Sequence, residues 1–235
     1  MIEILKETAR YLVCVKPIGT AAQGTQQEAM PQLLSAQLGC GIFPVHRLDQ
    51  TVGGVMVYAK TAQEAARLTQ AMGQGQMQKT YLAVLTGCPA ERAGTLEDLL
   101  FHDRAKNKTY VVRRPRGGVK QARLHYEILA KQDGLSLARI RLETGRTHQI
   151  RVHLSTVGLP LLGDPVYKTA ASVLPEAAGL AAHFPRQALH ASRLRLVHPA
   201  SNEVMEWFAP APEDMAELMD LLDFGPTDEP VHVYD

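Results

Sequence analysis

The stretch from Gln121 to Leu142 constrains the fold more than any other part of this 235-residue chain. Ala122, Leu124, Tyr126 and Ile128 alternate with Arg123, His125 and Glu127, so an extended backbone puts the first set on one face and the second on the other. Asp133-Gly134 supplies a tight turn, and Leu135 to Leu142 returns as the partner strand. Such a hairpin calls for a larger, mostly antiparallel sheet that buries the apolar face.

Other segments extend this frame. Tyr11 to Lys16 reads as a strand stopped by Pro17 and Gly19, and Glu28 to Leu38 as a helix with Pro31 in its first turn and Gly39 at its end. A polar loop, Phe43 to Asp49, leads through Gly53-Gly54 into the apolar strand Val55 to Ala59. Thr61 with Glu64 forms a capping box for a helix from Ala62 to about Met72, and Lys79 to Thr86 gives another strand. Thr147 to Val157 is helical, with Ile150, Leu154 and Val157 as its stripe and Gly158 at the C-cap. Leu194 to Val197 and Val204 to Phe208 make a late hairpin across Pro199-Ala200-Ser201-Asn202, and Pro212 opens a short final helix. The expectation is a single α+β domain over residues 1–225, followed by an acidic tail at 226–235.

Composition narrows the function. Hydrophobic residues make up 46% and charged residues 21%, ordinary for a chain with a core. Acids near Met1 argue against a signal peptide, and no apolar run reaches the roughly 20 residues that cross a bilayer. A cytoplasmic protein without membrane contact is expected. Cys14, Cys40 and Cys88 are scattered singly and read as reduced, core-type thiols rather than a disulfide or zinc set. Net charge is only +1, but from Arg104 to Arg123 eight bases occur with no acid, including Arg113, Arg114 and Arg116. A positive face of this kind can hold a polyanion.

Several chemistries are unannounced. Gly73-Gln74-Gly75 follows a helix and has Gln78 where the third glycine of a dinucleotide fingerprint belongs. There is no phosphate-cradling P-loop and no nucleophile elbow. His148 and His153 lie five residues apart, roughly 140° around a helix, so they cannot share a metal. Neither a metal nor a cofactor is expected.

Three segments remain: His46-Arg47-Leu48-Asp49, Lys79 to Gly87 with Tyr81 at its start, and Gly145 to Leu154 with Arg151 beside Ile150. Each has an ordinary structural reading, as a turn aspartate, a core tyrosine and a structural ion-pair arginine. Together they resemble the RNA pseudouridine synthases of the ribosomal large-subunit type. His46-Arg47-Leu48-Asp49 with Gly54 and Ala59-Lys60-Thr61 is similar to that family's signature. Lys79-x-Tyr81-x-Ala83-x-Leu85-x-Gly87 is similar to its second motif, and Gly145 to Arg151, continuing to Gly158-x-Pro160-x-x-Gly163-Asp164-x-x-Tyr167, to its third. Lys16-Pro17-x-Gly19, Leu189-His190-Ala191 and His198-Pro199 also fit, so the resemblance runs from about Tyr11 to Pro210.

The resemblance implies a bent mixed sheet with an active-site cleft between its halves, isomerisation of a uridine in ribosomal or transfer RNA, and no cofactor. It makes Asp49 the essential carboxylate, Tyr81 the ring against the target base, and Arg151 the arginine forked onto Asp49. Arg47, with His46 beside it, would enter the RNA near the extruded base. From the charge run rather than the resemblance, Arg113, Arg114 and Arg116 are expected to grip the RNA backbone. A monomer is expected. Two departures stand out: Gln50-Thr51-Val52-Gly53 replaces the usual x-x-Thr-Ser after the aspartate, and the pattern begins so near Met1 that no N-terminal RNA-binding module is expected. The competing readings are a non-catalytic RNA binder on the same scaffold, and an aspartate-nucleophile hydrolase of small nucleotides.

Overall fold

The computed structural model describes residues 1–173, 179–180, 184–198 and 201–225. The acidic tail and Pro199-Ala200 of the late turn lie outside them. The fold is α+β, built on a mixed, mostly antiparallel sheet of eleven strands among the described residues. Its residues gather into two compact units, one from Met1–Thr80 with His190–Ala211, the other from Tyr81–Leu189 with the segment that starts at Pro212.

In the first unit β1 (Glu3–Glu7) pairs with β2 (Tyr11–Lys16), and β2 with β4 (Gly53–Ala59), all antiparallel. The two-residue β3 (Phe43–Pro44) joins the other end of β4. The far end of the chain then returns: β10 (Leu189–Val197) pairs parallel with β4 at His190–Gly53 and Ala191–Gly54, and β11 (Val204–Phe208) pairs with β10. Every residue of β4 is buried, as a central strand requires. Gly54 is what admits β10, because a Cβ there would lie 2.2 Å from the Ala191 carbonyl oxygen, and its φ of 128° suits only glycine. The helix α1 (Met30–Leu38) ends on left-handed Gly39, and α2 (Ala62–Gly73) starts where the Thr61 hydroxyl accepts the Glu64 N–H. Val13, Val55, Val57, Leu68, Leu194 and Trp207 form the core of this unit.

Strand β5 (Met77–Thr86) begins in the first unit and continues in the second. There β9 (Leu135–Leu142) pairs with β8 (Val119–Gln132), β8 with β6 (Ala93–Asp103), and β6 with β7 (Lys108–Val112), all antiparallel. Asp133 and Gly134 take φ of 50° and 74°, the left-handed pair that a two-residue hairpin turn demands. The helix α3 (Gln149–Thr156) contributes Val152 to a small core with Leu100, Ala122 and Tyr167, and the last helix, α4, is Glu213–Leu221.

The run from Ala93 to Val112, to which the sequence reading assigns no element, is a strand pair. One sequence expectation is corrected here. Only Cys14 is a core thiol, its pKa pushed up to about 12 by burial; Cys40 is half-buried and Cys88 exposed.

Candidate active site

In the first unit the acid-bearing loop is clamped from both sides. Asp49 is half-buried at the start of a turn closed by the Val52 N–H on the Asp49 carbonyl at 3.0 Å. The loop after β2 grips the next residue: the Gly19 N–H donates to the Gln50 carbonyl at 2.9 Å, and the Gln50 side-chain amide donates back to the Gly19 carbonyl at 2.8 Å. Lys16 locks the pair. Its ammonium is fully buried and donates to the carbonyls of Pro17 (2.8 Å), Thr20 (2.7 Å) and Gln50 (3.1 Å). Burial lowers the Lys16 pKa to about 8, and the charge of Asp49 opposes that lowering, so the two ionic groups sense each other. In the sequence Lys16-Pro17-x-Gly19 is a motif without a role, and the structure gives it one: it fixes the turn that carries Asp49.

Arg47 is exposed, two residues before Asp49. His46 is corrected. It is 7% exposed, its Nε2 accepts the backbone N–H of Val57 at 3.2 Å, and burial next to Lys79 drives its pKa down to about 3. Its Nδ1 is buried as well, so this neutral ring is a structural group that holds the loop to β4 and has no nitrogen at the surface to read RNA. The imidazole of His190 is likewise internal, its Nε2 donating to the Ala209 carbonyl at 3.0 Å.

The second unit holds the other two candidates. Tyr81 is buried near the middle of β5. Arg151, on α3, is 6% exposed, and its Nε and Nη2 donate to the Asp164 carboxylate at 2.6 and 2.8 Å. Asp164 is the acid of the Gly163-Asp164 motif. Asp164 is held in turn by the backbone N–H groups of Val166 and Tyr167 at 2.8 and 3.0 Å. Burial by itself would raise the Asp164 pKa, but the bonds and charge of Arg151 and the two N–H groups outweigh it, and the carboxyl sits below its ordinary value. Gly163 makes this turn possible, because a Cβ there would lie 2.1 Å from the Arg186 carbonyl oxygen.

The Arg151 guanidinium also lies 5.0 Å from the centre of the Tyr167 ring. Tyr167 in turn ties helix to hairpin: its hydroxyl oxygen accepts the Thr109 N–H at 2.7 Å and bonds His148 Nδ1 at 3.0 Å. The Thr109 hydroxyl donates to the Thr147 carbonyl at 2.8 Å, so the His102 Nδ1 at 3.1 Å must be a donor to it. The buried Gln149 side chain completes the frame, accepting from Thr144 Oγ1 and the Arg146 N–H and donating to the Arg123 carbonyl. Sequence reasoning missed Asp164 and Lys16 as site-builders. Both lie inside the family's motifs, but only their partners reveal the work they do.

The basic stretch divides in three. Arg104 and Lys106 occupy the β6–β7 turn, and Arg113, Arg114 and Arg116 the exposed loop between β7 and β8. Those two groups stand at opposite ends of a five-residue strand, roughly 17 Å apart. Arg123 drops out of the expected face, since it lies 3.7 Å from both Glu97 and Glu143. Among the described residues, no group of three or more His, Cys, Asp or Glu side chains is placed to hold a metal ion, and no helix is long and apolar enough to cross a membrane.

Comparison with known proteins places the chain in a family. The sequence profile of the family described as RNA pseudouridylate synthase matches residues 10–156. The chain is 37% identical over 229 residues to ribosomal large subunit pseudouridine synthase D of Nitrosomonas europaea, covering 93% of this chain and 64% of that protein. It is 41% identical over 183 residues to the protein of that name in Escherichia coli (strain K12), covering 76% of this chain and 55% of the relative. Against the Pseudomonas aeruginosa protein the identity is 36%, over 94% of this chain and 72% of the other. The chain thus spans less than two thirds of the length of the first two, 64% and 55%. The fold is also that of human RNA pseudouridylate synthase domain containing 4, with a TM-score of 0.75 at 24% identity over 94% of this chain and 93% of the other. The profile match over more than half of its length shows that this chain belongs to the RNA pseudouridylate synthase family.

Proposed function

We propose that this chain converts a specific uridine to pseudouridine in a structured RNA, with Asp49 as the reacting carboxylate. The observation that supports this best is the setting of Asp49, a half-buried acid on a turn fixed by the buried Lys16 ammonium and the Gln50–Gly19 pair of bonds. Catalytic carboxylates gain from rigid support of this kind, because a misplaced nucleophile wastes the barrier lowering that orientation supplies. The reaction detaches uracil, turns it and rejoins it through carbon, so it is balanced without a redox partner or a group donor. A paired uridine hides its glycosidic bond and must be extruded to reach the carboxylate. Tyr81 is assigned to the face of the extruded base, Arg47 to the RNA beside it, and Arg151, held by Asp164, to the order of the catalytic pocket. The chain acts as a monomer in this reading.

The names of the curated relatives favour large-subunit ribosomal RNA over transfer RNA as the substrate. Purified protein incubated with both RNAs, taken from cells that lack this gene, is expected to create pseudouridine at one or a few positions of the former. Failure to convert any uridine in either RNA would sink the proposal.

The loop of Arg113, Arg114 and Arg116 is assigned to the RNA backbone. Changing all three to glutamine is expected to weaken binding to every RNA alike. The slope of log affinity against log salt should flatten by about 0.7–0.9 for each phosphate that is no longer gripped. An unchanged slope in fluorescence anisotropy titrations would mean that the loop is merely solvated.

A further inference from the structure

Rings and cations share the outer face of the β6–β7 hairpin in the second unit. The inner face of β7 is used by the fold: the buried Thr109 hydroxyl bonds the Thr147 carbonyl, and Val111 packs on the core of Leu100, Ala122, Val152 and Tyr167. Successive side chains of a strand point to opposite faces, so Lys108, Tyr110 and Val112 point outward. In the register Phe101 stands opposite Tyr110, and Leu99 opposite Val112. Opposed side chains on one face have Cβ atoms only about 5 Å apart, which makes Phe101 and Tyr110 one aromatic surface. Tyr110 is 36% exposed, and Phe101 is half-buried.

A cation flanks each ring. Arg116, from the exposed loop between β7 and β8, sets its guanidinium 4.5 Å from the centre of the Phe101 ring. The Lys108 ammonium lies 5.7 Å from the centre of the Tyr110 ring. Both are within the roughly 6 Å at which a cation is drawn to an aromatic face. Asp103 stands opposite Lys108 in the register, but its carboxylate serves the β6–β7 turn, where Oδ1 accepts the N–H groups of Ala105 and Lys106 at 3.0 and 3.1 Å. Closure of the loop accounts for Phe101 under Arg116. It does not account for Tyr110, because a ring left more than a third in water adds little to the stability that burial supplies.

The combination selects its ligand. A bare phosphate backbone would need only the cations, and an acidic peptide would leave the rings unused. A base inside a duplex has its faces covered by its neighbours and shows only its edges. An unpaired nucleotide brings a flat face and a phosphate together, which suits an aromatic surface rimmed by positive charge. We propose that Tyr110 and Phe101 form a stacking platform for unpaired bases of the substrate RNA, with Lys108 and Arg116 on the adjoining phosphates. The platform rests on the reading that this chain acts on RNA, and it adds contact with bases to the backbone grip assigned to the loop.

Binding and crosslinking with the full chain test this. A uridine hexamer is expected to bind about tenfold more tightly than the same ribose-phosphate backbone without bases, the order of effect that one stacked base supplies. Tyr110→Ala should lose most of that advantage while the slope of log affinity against log salt stays the same, and Tyr110→Phe should keep it. Lys108→Gln should instead flatten the slope by about 0.7, one phosphate contact on a single strand. With 5-iodouridine in the hexamer, ultraviolet light should join the RNA to Tyr110 or Phe101 of the unaltered protein, and of Asp49→Asn as well. That measurement stands whether or not the alanine variant folds. Equal affinity for the hexamers with and without bases, a folded Tyr110→Ala protein that binds like wild type, or crosslinks confined to other residues would each overturn the platform. Conversion of uridine by the unaltered protein would still uphold the isomerisation reading in any of those cases.

Discussion

Asp49→Asn is expected to abolish pseudouridine formation while RNA affinity changes little. Asparagine is isosteric, and the backbone of the turn is held by groups of residues 49–52, by Gly19 and by Lys16. The variant should therefore fold and bind RNA through the same exposed arginines. It lacks only the negative oxygen that makes or steadies a bond in the rearrangement. Losing a group of that kind costs at least roughly 10³-fold, with the remainder due to binding and positioning. The check is single-turnover conversion of a uridine-labelled fragment, run beside an anisotropy titration. Activity within tenfold of wild type would remove Asp49 from the chemistry.

The second large effect concerns the Arg151–Asp164 pair. Both side chains are buried, and changing either removes the two charge-assisted bonds that join them. Breaking such a pair costs about 3–5 kcal/mol, which at this chain length lowers the melting temperature by roughly 10 °C. Arg151→Lys keeps the charge but cannot donate from two parallel N–H groups. It should lose most of the turnover and much of the thermal stability, and Asp164→Asn should match it. The pH dependence has a defined sign. The folded Asp164 carboxyl lies below its ordinary value, so the pair stabilises the fold above the unfolded pKa, about 3.9. That stability fades as pH falls through the lower, folded value. Scanning calorimetry from pH 7 to acid should show the wild type converging on Asp164→Asn. An Arg151→Lys protein that melts and turns over like wild type would dissolve this account.

What the sequence made legible follows from how local each signal is. The β8–β9 hairpin needed only alternation and Asp133-Gly134, and α2 needed only Thr61 and a helical stripe. The strand β6 hid because most of its residues are half-exposed or exposed and several are acidic, with Glu97, Asp98 and Asp103 among them, so no apolar alternation marks it. Gly94 there looks like a breaker, yet it stands opposite Tyr126 in the register, where a Cβ would come within 2.7 Å of that ring. The first strand sits at an edge with one buried side chain, too little pattern to notice.

The site divided in the same way. Motif resemblance nominates Asp49, Tyr81 and Arg151, because spacing along the chain carries that information. It could not tell that Arg151 forks onto Asp164, that His46 turns inward onto Val57, or that Arg123 is claimed by Glu97 and Glu143. Those outcomes depend on which side chains meet after folding, and each choice is made by a tertiary partner elsewhere along the chain.

The close approach of Gly54 to Ala191 has a consequence for how this protein comes into being. Strands β1, β2 and β4 leave the ribosome early, but the strand that lies beside Gly53 and Gly54 is specified only near residue 190. At roughly 5–20 residues per second, the nascent first unit waits on the order of ten seconds with the flank of its most apolar strand uncovered. During that interval β4 is a ready template for another chain's edge. Translation speed and chaperone access between residues 60 and 190 therefore bear on the yield of folded protein as directly as any side chain in the site.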